Sequence, residues 1–201
     1  MKRLGTTNTK RAIISWCMYD WANSAFAASV LAAILPVYFA SLVPEEGVVV
    51  QWASVNFRTT ASALWAYGIS FSLLVTSVAA PILGALADFS GLKKRFLFGF
   101  TYTGAILTSL FYLIQEGDYW LCLGLFMAAN IGFAGSMTFY NAFLPEVAPD
   151  EKMDWVSGKG YAFGYMGGGL LLALHVLMIS YHESFGIPDR SLSIRISLAS
   201  P

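Results

Sequence analysis

The 201 residues carry twelve Lys and Arg against twelve Asp and Glu, a formal net charge of zero, which removes any general electrostatic case for a nucleic-acid partner. Hydrophobic residues make up 57% and charged residues only 12%, half the roughly 25% of a soluble domain. With a mean hydropathy of +0.61 and apolar residues in long runs, not in alternation, the composition excludes a soluble domain and a membrane barrel. The fold class is all-α integral membrane, with the lipid bilayer as its first partner.

Five runs are long enough to span, at about 13–42, 59–87, 96–115, 119–143 and 159–181. Residues 1–12 precede them as a polar N-terminus, 13–181 form the helical bundle, and 182–201 are a tail. The breaks are Pro44-Glu45-Glu46-Gly47, Asp88 to Arg95, Glu116-Gly117-Asp118, and the acidic stretch Pro145 to Ser157. The first two runs exceed the ~20 residues a span needs, so they tilt or project from the bilayer. Lys and Arg set the orientation. With the N-terminus inside, Lys2, Arg3, Lys10, Arg11, Lys93, Lys94, Arg95, Lys152 and Lys159 lie inside and Arg58, Arg190 and Arg195 outside, nine against three. The expected topology is a multi-pass protein with a cytoplasmic N-terminus and no signal peptide.

The first span holds W-C-M-Y-D-W-A-N-S-A-F, Trp16 to Phe26. A carboxylate, Asp20, and an amide, Asn23, sit where a lipid-facing helix should have neither; ionisable residues within spans are costly and face a bundle interior or a water-filled path. Trp16, Asp20, Asn23 and Ala27 share a helical face. In one reading that face lines a cytoplasmic vestibule where Asp20 binds a cation, a proton or a substrate amine. In the other, Asp20 sits in the interfacial belt with Trp16, Tyr19 and Trp21 and pairs with Lys10 or Arg11.

Between the second and third spans runs G-A-L-A-D-F-S-G-L-K-K-R, Gly84 to Arg95. Gly84 permits close helix approach, and Gly91 permits a turn that a Cβ would resist. Asp88 stands at the membrane edge, free to pair with a cation or a helix N-terminus. A plain topogenic loop, held inside by Lys93-Lys94-Arg95, explains the same residues. In the fourth span Asn130 is the best candidate for a buried polar contact, because an amide there needs a partner, and it joins Asp20 and Asn23 as a candidate for substrate or coupling. In the fifth, Gly160, Gly164 and Gly168 recur at four-residue spacing and let a second helix approach closely. His175 and His182, seven apart, could share a face as ligands but sit among Phe, Leu and Gly, which favours packing. Cys17 and Cys122 have no redox or metal spacing. No H-E-x-x-H, G-x-S-x-G or paired intramembrane Asp supports an enzyme, and no cofactor or metal is expected.

The Gly84–Arg95 string resembles the signature loop G-x-x-x-D-[RK]-x-G-[RK]-[RK] of the major facilitator superfamily. Gly84, Asp88, Gly91 and Lys93 match; Phe89 and Leu92 stand where that pattern is basic. The resemblance implies a conformational latch in which Asp88 contacts the far half of a transporter. Y-D-W-A-N-S-A-F (Tyr19–Phe26), A-P-I-L-G-A-L-A-D (Ala80–Asp88), Y-N-A-F-L-P-E (Tyr140–Glu146) and S-G-K-G-Y-A-F-G-Y-M-G-G-G (Ser157–Gly169) are similar to the vacuole-effluxer branch of that superfamily. The fifth span is also similar to the antiporter signature G-x-x-x-G-P-x-x-G-G, with Tyr165 in place of the proline, and the arginine usual in the fourth helix of proton-coupled drug antiporters is absent. The branch implies efflux of amino acids or related small solutes by alternating access, with a proton or ion as coupling partner, in the inner membrane of a bacterium or the vacuolar membrane of a fungus. A complete transporter has twelve spans in two six-helix halves, about 400 residues. The expectation is therefore most of an N-terminal half, with the C-terminal half missing or supplied by a partner chain. The alternative is a non-transporting partner subunit or remnant.

Overall fold

A computed structural model describes residues 6–52 and 55–201. Lys2 and Arg3, two of the residues that set the expected orientation, lie outside the described residues. Among the described residues five helices are long and apolar enough to cross a membrane: Lys10–Leu42, Ala61–Ser90, Lys93–Leu113, Tyr119–Val147 and Asp150–Ser180.

The first is not uniform. It runs as α1 (Thr6–Ala25), a π-helical segment (Phe26–Ala33) and α2 (Ile34–Leu42). Pro36 explains the change of winding. It has no N–H, and its ring crowds the carbonyl four residues back, that of Ala32. Just upstream the ladder shifts by one residue, so that the Ile34 N–H bonds the Ser29 carbonyl. The stretch after it is not a simple break. Val48–Trp52 (β1) and Val55–Thr59 (β2) form an antiparallel hairpin with Val48 opposite Thr59. Gly47, at φ +77°, turns the chain into it, and its N–H bonds the Pro44 carbonyl at 2.9 Å. Val48 is buried in the core, whereas Val49 on the opposite face is 56% exposed. That is the alternation of a half-buried strand.

Thr60 caps α3 (Ala61–Ser90), its hydroxyl accepting from the Ala63 N–H. Gly91, at φ +66°, ends α3, and the Leu92 N–H returns to the Ala87 carbonyl at 3.2 Å, a Schellman closure. α4 (Lys93–Ser109) ends in a 3-10 turn, Leu110–Leu113. Gly117, at φ +86°, lies in the hairpin to α5 (Tyr119–Ala142), where Asp118 Oδ2 accepts from the Gln115 N–H at 3.0 Å.

The acidic stretch after α5 is mostly helical. It holds α6 (Leu144–Val147), a 3-10 turn (Asp150–Lys152) and the start of α7 (Met153–Ser180). The fifth helix thus begins six residues before the expected 159. Asp154 lies in its first turn, where a carboxylate complements the helix dipole, so the charges that read as a break serve as a start. Within the tail, α8 (Arg190–Ala199) is capped by Asp189 and is too short to span.

The two central helices are the first and fourth. Half of the most apolar window of Lys10–Leu42 and 44% of that of Tyr119–Val147 is buried, against 6%, 17% and 22% for the others. α1 packs along α7 and α5 packs along α4 and α3. The outward face of α3, with Leu74, Val78 and Ile82 more than 60% exposed, is left for lipid.

Candidate functional site

Glycine geometry decides how near α7 comes to α1. A Cβ built on Gly164 would lie 2.6 Å from Ser24 Oγ and 2.8 Å from Asp20 Oδ2. One on Gly168 would lie 2.7 Å from the Ser24 carbonyl, and one on Gly160 would strike the Trp16 ring. Gly160, Gly164 and Gly168 therefore present bare backbone to α1, and Asp20 is pressed against that strip. It is 6% exposed. Among the described residues no Lys, Arg or His nitrogen lies within 4.0 Å of its carboxylate, so it pairs with neither Lys10 nor Arg11.

On its other side α1 meets α5 through aromatic rings. Trp16 stacks on Tyr140 at 4.3 Å between centroids and donates from Nε1 to the Tyr140 carbonyl at 3.1 Å. Tyr19 stacks on the same ring at 5.0 Å and shares a 2.7 Å hydrogen bond with Thr101 of α4. The Tyr140 hydroxyl is buried and has no partner among the described residues. Burial without a hydrogen bond is costly, so this oxygen is a polar group held in reserve beside α1.

Asn23 faces α5, and its amide donates to Met137 Sδ at 2.9 Å. It lines a cavity of about 170 Å³ between α1, α4 and α5, with Tyr19, Thr101, Thr108 and Ser136 as the other polar side chains. That is below the roughly 300–1,000 Å³ of a drug-sized site, so only a small solute or water fits. Asp20 does not line it. The expected shared vestibule is thus divided: Asn23 opens onto the cavity, and Asp20 lies against α7. Three residues at 3.6 per turn separate two side chains by about 60°, enough to give them different neighbours here. Asn130 is buried on α5 at 3% exposure, outside that cavity.

The loop after α3 differs from its reading at Gly84 and takes one of the two partners expected for Asp88. A Cβ on Gly84 would meet no described atom within 4 Å, because that position is turned away from the neighbouring helices. Asp88 has a cation: Lys93 Nζ lies 2.9 Å from its Oδ1 and 3.1 Å from Glu146 Oε1. One lysine thus ties the end of α3 to α6. The Asp88 side chain is 66% exposed, so each pair contributes only about 0.2–1 kcal/mol.

The two histidines do not meet as a ligand pair. His175 is buried, with Nδ1 2.9 Å from Ser29 Oγ and Nε2 2.9 Å from Ser200 Oγ; His182 bonds the Ile187 carbonyl through Nδ1. Cys17 and Cys122 are buried free thiols. No group of three His, Cys, Asp or Glu among the described residues could hold a metal ion. Thr101 and Ser29 are not singled out by the sequence. Their one signal is polarity within a span, which many Ser and Thr share while bonding their own helix, as Thr108 does to Gly104.

A family model described as "Vacuole effluxer Atg22 like" matches residues 8–154. The chain is 34% identical over 175 residues to the uncharacterized MFS-type transporter YxiO of Bacillus subtilis (strain 168), covering 87% of this chain and 39% of that protein. It is 25% identical over 181 residues to autophagy-related protein 22 of Coccidioides immitis (strain RS), covering 71% and 29%. An uncharacterized protein of Aquifex aeolicus (strain VF5) is 29% identical over 162 residues, covering 79% and 36%. The chain spans between 29% and 39% of the length of these relatives. No solved structure matches it.

Proposed function

The chain belongs to the vacuole effluxer Atg22-like family, and from that premise we propose that it forms one bundle of a secondary transporter that exports amino acids or related small solutes by alternating access. The observation that carries the reading is Asp20. A buried carboxylate with no cationic partner among the described residues is expensive inside a membrane protein. Its cost is offset when it takes up a proton or another cation, and that is what a coupled transporter requires. In this reading Asp20 holds the coupling proton or cation. Asn23 offers its amide to a solute in the cavity, and Asn130, buried on α5, is the second amide candidate for substrate or coupling. The loop of Gly84, Asp88, Gly91 and Lys93 is a latch. Exposure of Asp88 supports this, because the carboxylate remains open to a second segment while Lys93 holds it.

Efflux from proteoliposomes tests the function. Vesicles carrying the full-length protein and loaded with a mixture of amino acids should release at least one of them faster than protein-free vesicles. A proton gradient should change the rate. Equal release of every amino acid with and without protein, in either gradient direction, would remove the reading.

We place the N-terminus in the cytoplasm on the charge asymmetry. Membrane-impermeant thiol reagents applied to sealed cells should reach Glu45→Cys and Glu116→Cys and miss Lys94→Cys and Asp150→Cys, in a background lacking the native cysteines. Labelling of Lys94→Cys would reverse the orientation.

A further inference from the structure

His175 is one of the buried titratable groups that this reading leaves unused. It sits on α7, inside the span Asp150–Ser180, at 2% exposure. Both ring nitrogens have partners, and both partners are hydroxyls: Ser29 Oγ at 2.9 Å on Nδ1 and Ser200 Oγ at 2.9 Å on Nε2. That choice of partner matters. A neutral imidazole donates from one nitrogen and accepts at the other, whereas an imidazolium donates from both. A carbonyl could serve only one of these states at a given nitrogen. A hydroxyl serves either, because it rotates and both donates and accepts. The site can therefore gain a proton without stranding a buried donor.

Ser29 is not on an ordinary helix. It lies in the π-helical segment of the first span, where the Ile34 N–H already bonds its carbonyl. While Nδ1 accepts, the Ser29 hydroxyl must donate across to α7. Once Nδ1 carries a proton, the Ser29 hydrogen is released and turns to a carbonyl of its own helix, the usual alternative for a helical serine and one that bends the helix. π-helical turns are rare and concentrate at functional sites.

We propose that His175 is a reversible proton-binding site and that its protonation is transmitted through Ser29 to the π segment of the first span. The proposal rests on the transporter reading for its purpose, though not for its chemistry. The charged and titratable groups on the elements packed against α7 are Lys10, Arg11, Cys17, Tyr19 and Asp20 on α1, Glu146 on α6, and Arg190 and Arg195 on α8. To these the flanking turns add Asp150, Glu151, Lys152, His182 and Glu183, and α7 itself adds Asp154, Lys159, Tyr161 and Tyr165. Among the described residues none of them hydrogen-bonds or ion-pairs with the imidazole. Asp20 lies nine residues before Ser29, about 14 Å along the helix axis.

Nuclear magnetic resonance of ring-labelled histidine tests this in the chain held in lipid nanodiscs. There are only two histidines, and His175→Gln identifies the signal. Over a titration from about pH 8 to pH 4 the His175 ring nitrogens should pass reversibly from neutral to protonated. Ser29→Ala should move that midpoint and the backbone signals of residues 26–33. If His175 holds one protonation state across the range, the site is overturned. A titration that Ser29→Ala leaves unmoved overturns the link to the π segment. In the full-length protein His175→Gln should flatten the pH dependence of efflux at unchanged protein level, and an unaltered profile counts against the proposal. Absence of efflux in the wild type would instead remove the transporter reading and leave the titration to be judged alone.

Discussion

Asp20→Asn in the full-length protein should lower efflux by at least about tenfold, a loss equivalent to roughly 1.4 kcal/mol, while protein level and folding stay near those of the wild type. The substitution keeps the shape. The amide fits the same space between Ser24 and the bare Cα of Gly164, where nothing longer fits. It removes the one property the proposal needs, the capacity to exchange a proton or bind a cation. A structural role for Asp20 gives a different result. A buried carboxylate that merely packs is replaced without loss by its neutral isostere, and removing an unpaired buried charge can even stabilise. Size-exclusion profiles and efflux measured across pH separate the two. Wild-type flux at every pH in Asp20→Asn would take Asp20 out of the mechanism.

Much of the architecture is legible from patterning alone, because a span must be continuous and apolar and the turns between spans must not be. Gly91 and Gly117 stand where the chain takes positive φ, as residues without a Cβ can. What patterning misses depends on partners distant in sequence. Asp20 is conspicuous by its cost. Yet its contact with Gly164 and the stacking of Trp16 on Tyr140 join residues more than a hundred positions apart, and no periodicity reports them. The Asp88–Lys93 pair is local, only five residues apart, but it forms because Gly91 folds the helix end back, a matter of turn geometry. The π segment was missed because Pro36 predicts a disturbed helix without saying how the ladder is repaired. The hairpin after Gly47 carries its own signal, the β-branched run Val48 to Val50 and the alternating Val55-Asn56-Phe57-Arg58, hidden by the assumption that residues between spans are loop.

A large structural effect is expected at Gly132, where α5 crosses α4. A Cβ there would lie 2.8 Å from Gly104 Cα, 2.9 Å from Gly104 N and 3.1 Å from the Phe100 carbonyl oxygen. All three are backbone atoms, so no change of rotamer relieves the clash, and the two helices must separate. Overpacking of this kind costs about 1–3 kcal/mol. Separation would also disturb the stacking of Phe96 and Phe100 on Phe139 and open the small cavity that Gly104 helps to line. Gly124 lies on the same helix with no atom within 4 Å of its Cβ position, so Gly124→Ala should gain up to about 1 kcal/mol from helix propensity alone. Denaturation of the chain in mild detergent, followed by circular dichroism, should therefore rank Gly124→Ala above the wild type and Gly132→Ala well below it. Equal stability of the two variants would mean that α4 and α5 do not cross as described. Gly135 supplies an internal control, because its Cβ would meet the Phe100 ring at 2.5–2.9 Å, a side chain and not backbone. Phe100→Ala should accordingly rescue Gly135→Ala and fail to rescue Gly132→Ala.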